Sequence, residues 1–276
     1  MNEQKICIIG DGLTGLTAAL MLGKENVKVD LYCYNKKNIK NLHNRTTAIS
    51  ESNYQYIKKN LNIGGRGLFW PCKKISLFFE DNEHIINFLN FEEKNKNFMY
   101  LFKNKDLKKK LDKKISTTKN IKLVNKNIQH INSEEAFIMC GKKKVFYDLI
   151  ILSVGGHSKL YSQIDKNRSI KKNYEELAIT AIIEHNAKIT NASQFFLKEG
   201  PLAILPFQKK LFSIVWSVSN EFFYTNKKNI RKILNEKLRL LLRTKDLKNI
   251  KDIQSFPINL NLKTKYFKKN VLILGD

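Results

Sequence analysis

Lys5-Ile-Cys-Ile-Ile-Gly10-Asp-Gly12-Leu-Thr-Gly15 is the stretch whose reading decides the fold. Residues 5–9 form a short apolar run that reads as a buried strand, and residues 13–23 read as a helix. Between them stands G-x-G-x-x-G. Gly10 permits a tight turn, and Gly12 lets the backbone approach a pyrophosphate. Gly15, with Ala19 four residues on, lets the helix lie close to the sheet. Phosphates would rest on the amides and the positive dipole of the helix N-terminus, with Leu13 and Thr14 in its first turn. Residues 27–34 supply a second strand, so the glycines sit in the strand–helix–strand context that makes the motif specific. The same motif expects an acidic residue at the end of that strand to bind ribose hydroxyls. Cys33 occupies the place, while Asp30 lies earlier and with the opposite strand parity. Cys33 is then either a weak acceptor toward the ribose or a packing thiol.

The chain around this unit has 276 residues, 42% of them hydrophobic and 11% aromatic, which suits one large or two modest domains and excludes a disordered or fibrous chain. No apolar run approaches a membrane span, and no signal-peptide pattern precedes the first strand. The four cysteines form no C-x-x-C and no ligand spacing, which points to a reducing compartment and away from zinc or a disulfide framework. His43, His84, His130, His157 and His185 likewise show no metal spacing. Ser158 and Ser217 lack a nucleophile elbow, so a hydrolase triad has no support. A cytoplasmic protein is expected.

Lys and Arg number 50 against 25 Asp and Glu, a net charge of +25. Such a field attracts nucleic acid or an anionic membrane surface. The lysines are dispersed, however, and no finger, RNA-recognition or basic-zipper pattern is present, which argues against nucleic acid. Peripheral contact with the inner face of a membrane is retained as an expectation.

Further along, residues 49–61 read as a helix and 75–79 with 84–89 as a hairpin. A lysine-rich helix is expected at 104–115 and a second hairpin at 136–140 with 144–148. Buried strands follow at 149–154, 177–184, 202–206, 211–217 and 270–274, and an amphipathic helix at 226–243. Trp70 and Trp216 are expected in the core. Gly275-Asp276 makes a turn that ordinarily leads onward, so the chain is read as continuing beyond it.

Several segments, in order, resemble the FAD-dependent aromatic hydroxylases, specifically those of ubiquinone biosynthesis. Gly10-Asp-Gly-Leu-Thr-Gly15 opens the series. Asn44-Arg45-Thr-Thr-Ala-Ile-Ser50 is similar to the family's R-x-x-A-[LI]-S segment, and residues 98–107 resemble its G-Y-x-[VI]-x-N-x-x-L stretch. Gly155-Gly-His-Ser158 stands where the family has D-G-x-x-S, with Val154 replacing the aspartate and Tyr161 at a position that is usually arginine. Gly200-Pro-Leu-Ala-Ile-Leu-Pro206 followed by Ser213-Ile-Val-Trp216 matches the G-P-L-A-x-L-P and S-x-V-W pair. Gly275-Asp276 matches the start of G-D-A.

This resemblance implies an α/β fold, a Rossmann-like FAD-binding domain with an inserted mixed β-sheet substrate domain. The first would take residues 1–70, 97–162 and 265–276, and the second 71–96 and 163–264. It implies an FAD-dependent monooxygenase that uses O2 and NAD(P)H or another reductant to hydroxylate a polyprenylated phenol, beside other ubiquinone-biosynthesis proteins. The cofactor positions are Gly10, Gly12, Leu13, Thr14, Gly15, Cys33, Arg45, Gly155, Gly275 and Asp276. Arg45 would lie over the cofactor and Asp276 would contact the ribityl chain. No side chain need act covalently, so the catalytic residue is left open. Two alternatives stand beside this reading: a binding-only homologue, favoured by Val154 and Cys33, and another flavin oxidoreductase of the superfamily, such as a polyprenyl reductase.

Overall fold

A computed structural model describes residues 3–33, 45–82, 84–94, 96–155, 159–164 and 169–275. Along the chain run β1 (Gln4–Ile9), α1 (Leu13–Leu22), β2 (Val27–Tyr32), β3 (Thr46–Ser50), α2 (Glu51–Leu61), β4 (Trp70–Cys72), β5 (Lys74–Asp81), β6 (His84–Glu92) and β7 (Met99–Lys103). There follow α3 (Asn104–Ile115), β8 (Ile121–Val124), β9 (His130–Asn132), β10 (Phe137–Cys140), β11 (Lys143–Phe146), β12 (Leu149–Leu152) and α4 (Tyr161–Ile164). The remainder is β13 (Ser169–His185), β14 (Ala192–Leu197), β15 (Gly200–Gln208), β16 (Leu211–Ser219), α5 (Asn220–Asn226), α6 (Ile230–Leu242), β17 (Leu247–Lys263), β18 (Phe267–Lys268) and β19 (Val271–Ile273). These elements divide into two compact units. The first is Met1–His43, Lys105–Lys172 and Leu260–Asp276; the second is Asn44–Asn104 and Asn173–Asn259. β3 and β7 lie in segments that the sequence reading groups with the FAD-binding domain, and β4 straddles its expected boundary at residue 70; all three strands belong to the second unit.

The first unit is built on a six-stranded sheet ordered β18-β19-β12-β1-β2-β8. β1 pairs in parallel with β12 on one side and β2 on the other, placing Ile9 beside both Leu152 and Tyr32. Ile6, Cys7, Ile8 and Ile9 are all buried, as a central parallel strand covered on both faces requires. α1 turns Gly15, Leu16, Ala19 and Leu20 inward. On the other face, Cys7, Ile9 and Tyr32 share a core with Ile131, Ile138, Tyr147 and the α4 residues Tyr161 and Ile164.

The second unit carries a seven-stranded sheet, β17-β13-β16-β15-β14-β5-β6, and the small sheet β3-β7-β4. β15 and β16 pair antiparallel with Leu202 opposite Trp216. Trp216 is fully buried in a core shared with Phe223 of α5 and Ile230, Leu234, Leu238 and Leu241 of α6. Trp70 is only half-buried, packed at the edge of the core around Cys72 and Leu101, and its indole Nε1 donates to the Thr190 carbonyl at 3.1 Å.

Two helices differ from expectation. The one expected over 49–61 begins at Glu51, since Ile49 and Ser50 pair with Tyr100 and Met99 in β7. Ser50 then caps the helix, its hydroxyl accepting from the Asn53 amide at 3.3 Å. The helix expected over 226–243 starts four residues later, as α6 at Ile230, and a separate short helix, α5, precedes it. α5 starts after the Ser219 cap, which accepts from the Phe222 amide at 3.1 Å, and the Asn226 side-chain amide closes it by donating to the Phe222 carbonyl at 2.9 Å. Among the described residues no helix is long and apolar enough to cross a membrane.

Candidate functional site

In the first unit the chain leaves β1 toward β2 and β8 on one side, while β12 and β19 lie on the other. The order reverses at β1, which makes the carboxyl ends of β1 and β12 the crevice where open parallel sheets bind ligands. Three turns meet there: the glycine loop after β1, residues Ser153–Gly155 after β12, and Leu274-Gly275 after β19. Ser153 ties the first two together. Its amide donates to the Ile9 carbonyl at 2.8 Å, and its hydroxyl reaches the Ile9 and Gly10 carbonyls at 3.1 and 3.4 Å. Leu274 joins the third by donating to the Leu152 carbonyl at 3.0 Å.

Each motif glycine has a separate physical reason. Gly10 has φ +119°, and a Cβ there would overlap the Ser153 carbonyl. A Cβ on Gly15 would overlap the Gly10 carbonyl and come within 2.6 Å of Ser153 Oγ, so this glycine sets how closely α1 rests on the loop. Gly12 is different. Its backbone is extended, φ −74° and ψ 178°, and a Cβ there would meet nothing within 4 Å. The space above Gly12 is open, and it faces the start of α1.

That helix start is prepared for an anion. The first amides of any α-helix lack intrahelical partners. Here no side chain caps them and no acidic residue stands in the first turn. Thr14 lies beside the third turn: Gly275 has φ +82°, and a Cβ on it would come 3.4 Å from Thr14 Oγ1. Gly155, with φ +77°, is exposed and has open space around its α-carbon. Asp276, Asn44, Gly156, His157 and Ser158 lie outside the described residues.

At the end of β2, the Cys33 amide donates to the Val124 carbonyl at 3.1 Å and its side chain is half-buried. Asp30 is engaged on the opposite parity. Its carboxylate accepts from Tyr147 at 2.8 Å and pairs with Lys5 at 3.1 Å, and the Tyr147 and Tyr32 hydroxyls meet at 2.9 Å. Lys5 Nζ also lies 4.6 Å from the centre of the Tyr147 ring. Burial pushes the Tyr32 phenol up to about 12 and raises Tyr147 further. It also raises the Cys7 thiol well above its ordinary range, so Cys7 stays protonated. Val154 packs its side chain against this same apolar core.

Arg45 belongs to the second unit. It is exposed, its guanidinium stacks 4.1 Å from the Phe256 ring, and its carbonyl accepts from the Asn104 amide at 2.9 Å. Thr47 donates to Asn104 Oδ1 at 2.6 Å, so the Arg45–Ser50 segment is anchored where the residues 98–107 stretch turns into α3. Gly200 opens β15 with φ +127°, and a Cβ there would overlap the Ser217 carbonyl. Tyr161, in place of the usual arginine, lies beneath Lys263 Nζ at 4.7 Å.

Ser153 and Tyr147 escaped the sequence reading. Ser153 carried a usable signal, a small hydroxyl residue directly after a buried parallel strand. Tyr147 carried none, since its partner Asp30 is 117 residues away. Among the described residues no three His, Cys, Asp or Glu side chains gather as a metal site.

The chain resembles known proteins at three levels. Among solved structures, p-nitrophenol 4-monooxygenase PnpA from Pseudomonas putida DLL-E4 superposes with a TM-score of 0.78 at 12% identity, over 99% of this chain and 72% of that one. CtdE, solved in complex with FAD, superposes with a TM-score of 0.70 at 14% identity, over 100% and 78%. At these identities the likeness establishes the fold, a Rossmann-like α/β domain carrying a mixed-sheet domain. Human mitochondrial ubiquinone biosynthesis monooxygenase COQ6 is 31% identical over 86 residues, which are 30% of this chain and 18% of that protein. The family model described as glucose inhibited division protein A matches residues 5–271, from the first residues of β1 to the start of β19. With that match spanning both units, the chain belongs to the glucose inhibited division protein A family.

Proposed function

We propose that this protein binds FAD at the β1–α1 loop and works as an FAD-dependent monooxygenase. The observation that carries the reading is the uncapped α1 N-terminus beneath the open space at Gly12. A diphosphate fits that cradle, since the amides supply donors and the absent side chain supplies room. Gly10, Gly12, Leu13, Thr14 and Gly15 would hold the diphosphate, with Gly155, Gly275 and Asp276 along the neighbouring turns. Cys33 would stand near the ribose, and Arg45 would contribute positive charge toward the diphosphate or flavin. When bound, FAD supplies the electron transfer and oxygen chemistry. The chain's own task is to bind and orient the cofactor, hold the substrate ring and exclude water. NAD(P)H is the proposed electron donor.

The finer reading is hydroxylation of a polyprenylated phenol in ubiquinone biosynthesis, with other proteins of that route as partners. It is supported by the 86-residue likeness to the human ubiquinone enzyme and by the Gly200–Pro206 and Ser213–Trp216 segments, which form the paired β15 and β16. A cytoplasmic location with peripheral contact to an anionic membrane suits the +25 charge and so apolar a substrate.

A second reading, a binding-only flavoprotein, is favoured by Val154, whose apolar side chain sits where the hydroxylases carry an aspartate. One experiment separates the two. Purified protein is titrated with FAD, then given reductant, O2 and a prenylated phenol, and hydroxylated product is measured. Bound flavin with product supports the monooxygenase, and bound flavin without product supports the second reading. No flavin binding at all refutes both.

A further inference from the structure

Asp11 introduces a difficulty into the phosphate loop. It lies between Gly10 and Gly12, one residue before the N-cap position of α1, and so close to an uncapped helix start that a free carboxylate there would be drawn to the first-turn amides. A carboxylate on those amides would occupy the diphosphate's place and repel it. Yet no side chain caps α1. The Asp11 carboxylate is engaged elsewhere, 3.5 Å from the Lys108 ammonium.

Lys108 differs from its neighbours in α3. Lys109 and Lys110 are exposed, whereas the Lys108 side chain keeps only 13% of its surface. Asp112, one turn on, holds the ammonium with both oxygens, at 3.0 and 3.2 Å. The three residues form a chain from Asp112 through Lys108 to Asp11, all within the first unit.

We propose that Lys108 is a positioning residue for the dinucleotide site: it holds the Asp11 carboxylate off the α1 N-terminus and cancels its charge, leaving the amides free for a diphosphate, with Asp112 fixing the lysine in place. This rests on the reading that the β1–α1 loop binds FAD. The distinctive consequence is that losing Lys108 weakens the ligand without weakening the fold, because a released Asp11 caps the helix it had left bare.

The test measures FAD dissociation constants by flavin fluorescence, at low salt, for the parent, Lys108→Met, Lys108→Arg, Asp11→Ala and the Asp11→Ala/Lys108→Met double variant. The melting temperature of each apo form is recorded beside them. We expect Lys108→Met to bind FAD about tenfold more weakly, the scale of one charge acting on a helix terminus. Lys108→Arg should stay within about threefold of the parent. The double variant should recover to within about threefold, since there is no carboxylate left to release. Apo Lys108→Met should melt at or above the parent temperature. Unchanged FAD affinity in Lys108→Met overturns the inference alone. So does a loss that persists undiminished beside Asp11→Ala, which would place Lys108 on the ligand itself, and so does a fall in melting temperature that accounts for the weakened binding. A parent that binds no FAD overturns the functional reading beneath it.

Discussion

Replacing Gly15 by alanine adds one methyl group where α1 has no room for it. The new carbon would overlap the Gly10 carbonyl and stand 2.6 Å from Ser153 Oγ. A backbone carbonyl cannot swing aside as a long side chain can, so the helix must lift or the loop must distort. Overpacking of this kind costs about 1–3 kcal/mol. Because the clash is with fixed backbone it belongs in the upper part of that range, about 2–3 kcal/mol. Since alanine recovers roughly 1 kcal/mol over glycine inside a helix, a net loss of about 1–2 kcal/mol remains. For a chain of this size that lowers the melting temperature by roughly 3–6 °C. Gly12→Val should do the reverse. Its extended backbone and open surroundings accept a branched side chain, so melting should shift by no more than about 3 °C, a modest N-cap effect, while FAD binding is abolished. Circular-dichroism melts of both apo variants, paired with FAD titrations, separate the two roles. A Gly15→Ala protein as stable as the parent would refute the packing argument, and parental FAD affinity in Gly12→Val would reduce the loop to a turn.

Tyr147→Phe should cost about 1–3 kcal/mol in urea unfolding, because it strips a donor from Asp30 and a partner from the Tyr32 hydroxyl at once; a change below about 0.5 kcal/mol would show the network to be dispensable. His185 is buried, its Nδ1 2.9 Å from the Ala187 carbonyl, and burial holds its pKa below the usual value. As the pH falls below about 6.5 the unfolded chain takes a proton that the folded one refuses. The parent should therefore lose up to about 1.4 kcal/mol per pH unit more than His185→Leu, until the depressed folded pKa is passed. Parallel stability profiles for the two proteins between pH 7.5 and 5.5 would contradict this.

The first unit was legible because its signals are local. A run of buried residues, three glycines at set spacing and a second strand all fall within the first 34 positions, and Gly10 and Gly15 sit at the tight turn and the close helix approach that their spacing implies. Leu107 and Leu111 likewise announced α3, whose span matches the expected 104–115. Where hydrophobic periodicity alone had to mark an end, it overran. The expected helix reached back to Asn226, but residues 226–229 carry no apolar side chain to mark the start of α6 at Ile230, and nothing in the spacing shows that Asn226 closes α5. Strand pairing was harder still. β7 is apolar up to its last residue, Lys103, and only its partners β3 and β4 make it the middle of a sheet. The β13 and β17 strands, 17 residues each, carry polar and charged residues through much of their length, so periodicity marked only part of the first and none of the second. Lys108 is one lysine among many, and only geometry distinguishes it.

The sheet order of the first unit also sets a timetable for synthesis. Ile6 pairs with Leu149, and Ile150 pairs with Val271, so the central strand of the six-stranded sheet waits for a partner made more than half a chain later, and that partner waits again for β19. At roughly 5–20 residues per second, a ribosome takes about 13–50 s to travel from β1 to β19. The roughly 120 residues from β12 to β19 take about the last 6–24 s of it. For that time β12, apolar along its whole length, keeps one edge unpaired, while the second unit's β14, β15 and β16 can already zip together through short hairpins. The nascent chain therefore completes the sandwiched middle of its sequence before the parallel sheet that begins it, and the exposed β12 edge is where a holding chaperone would find its purchase.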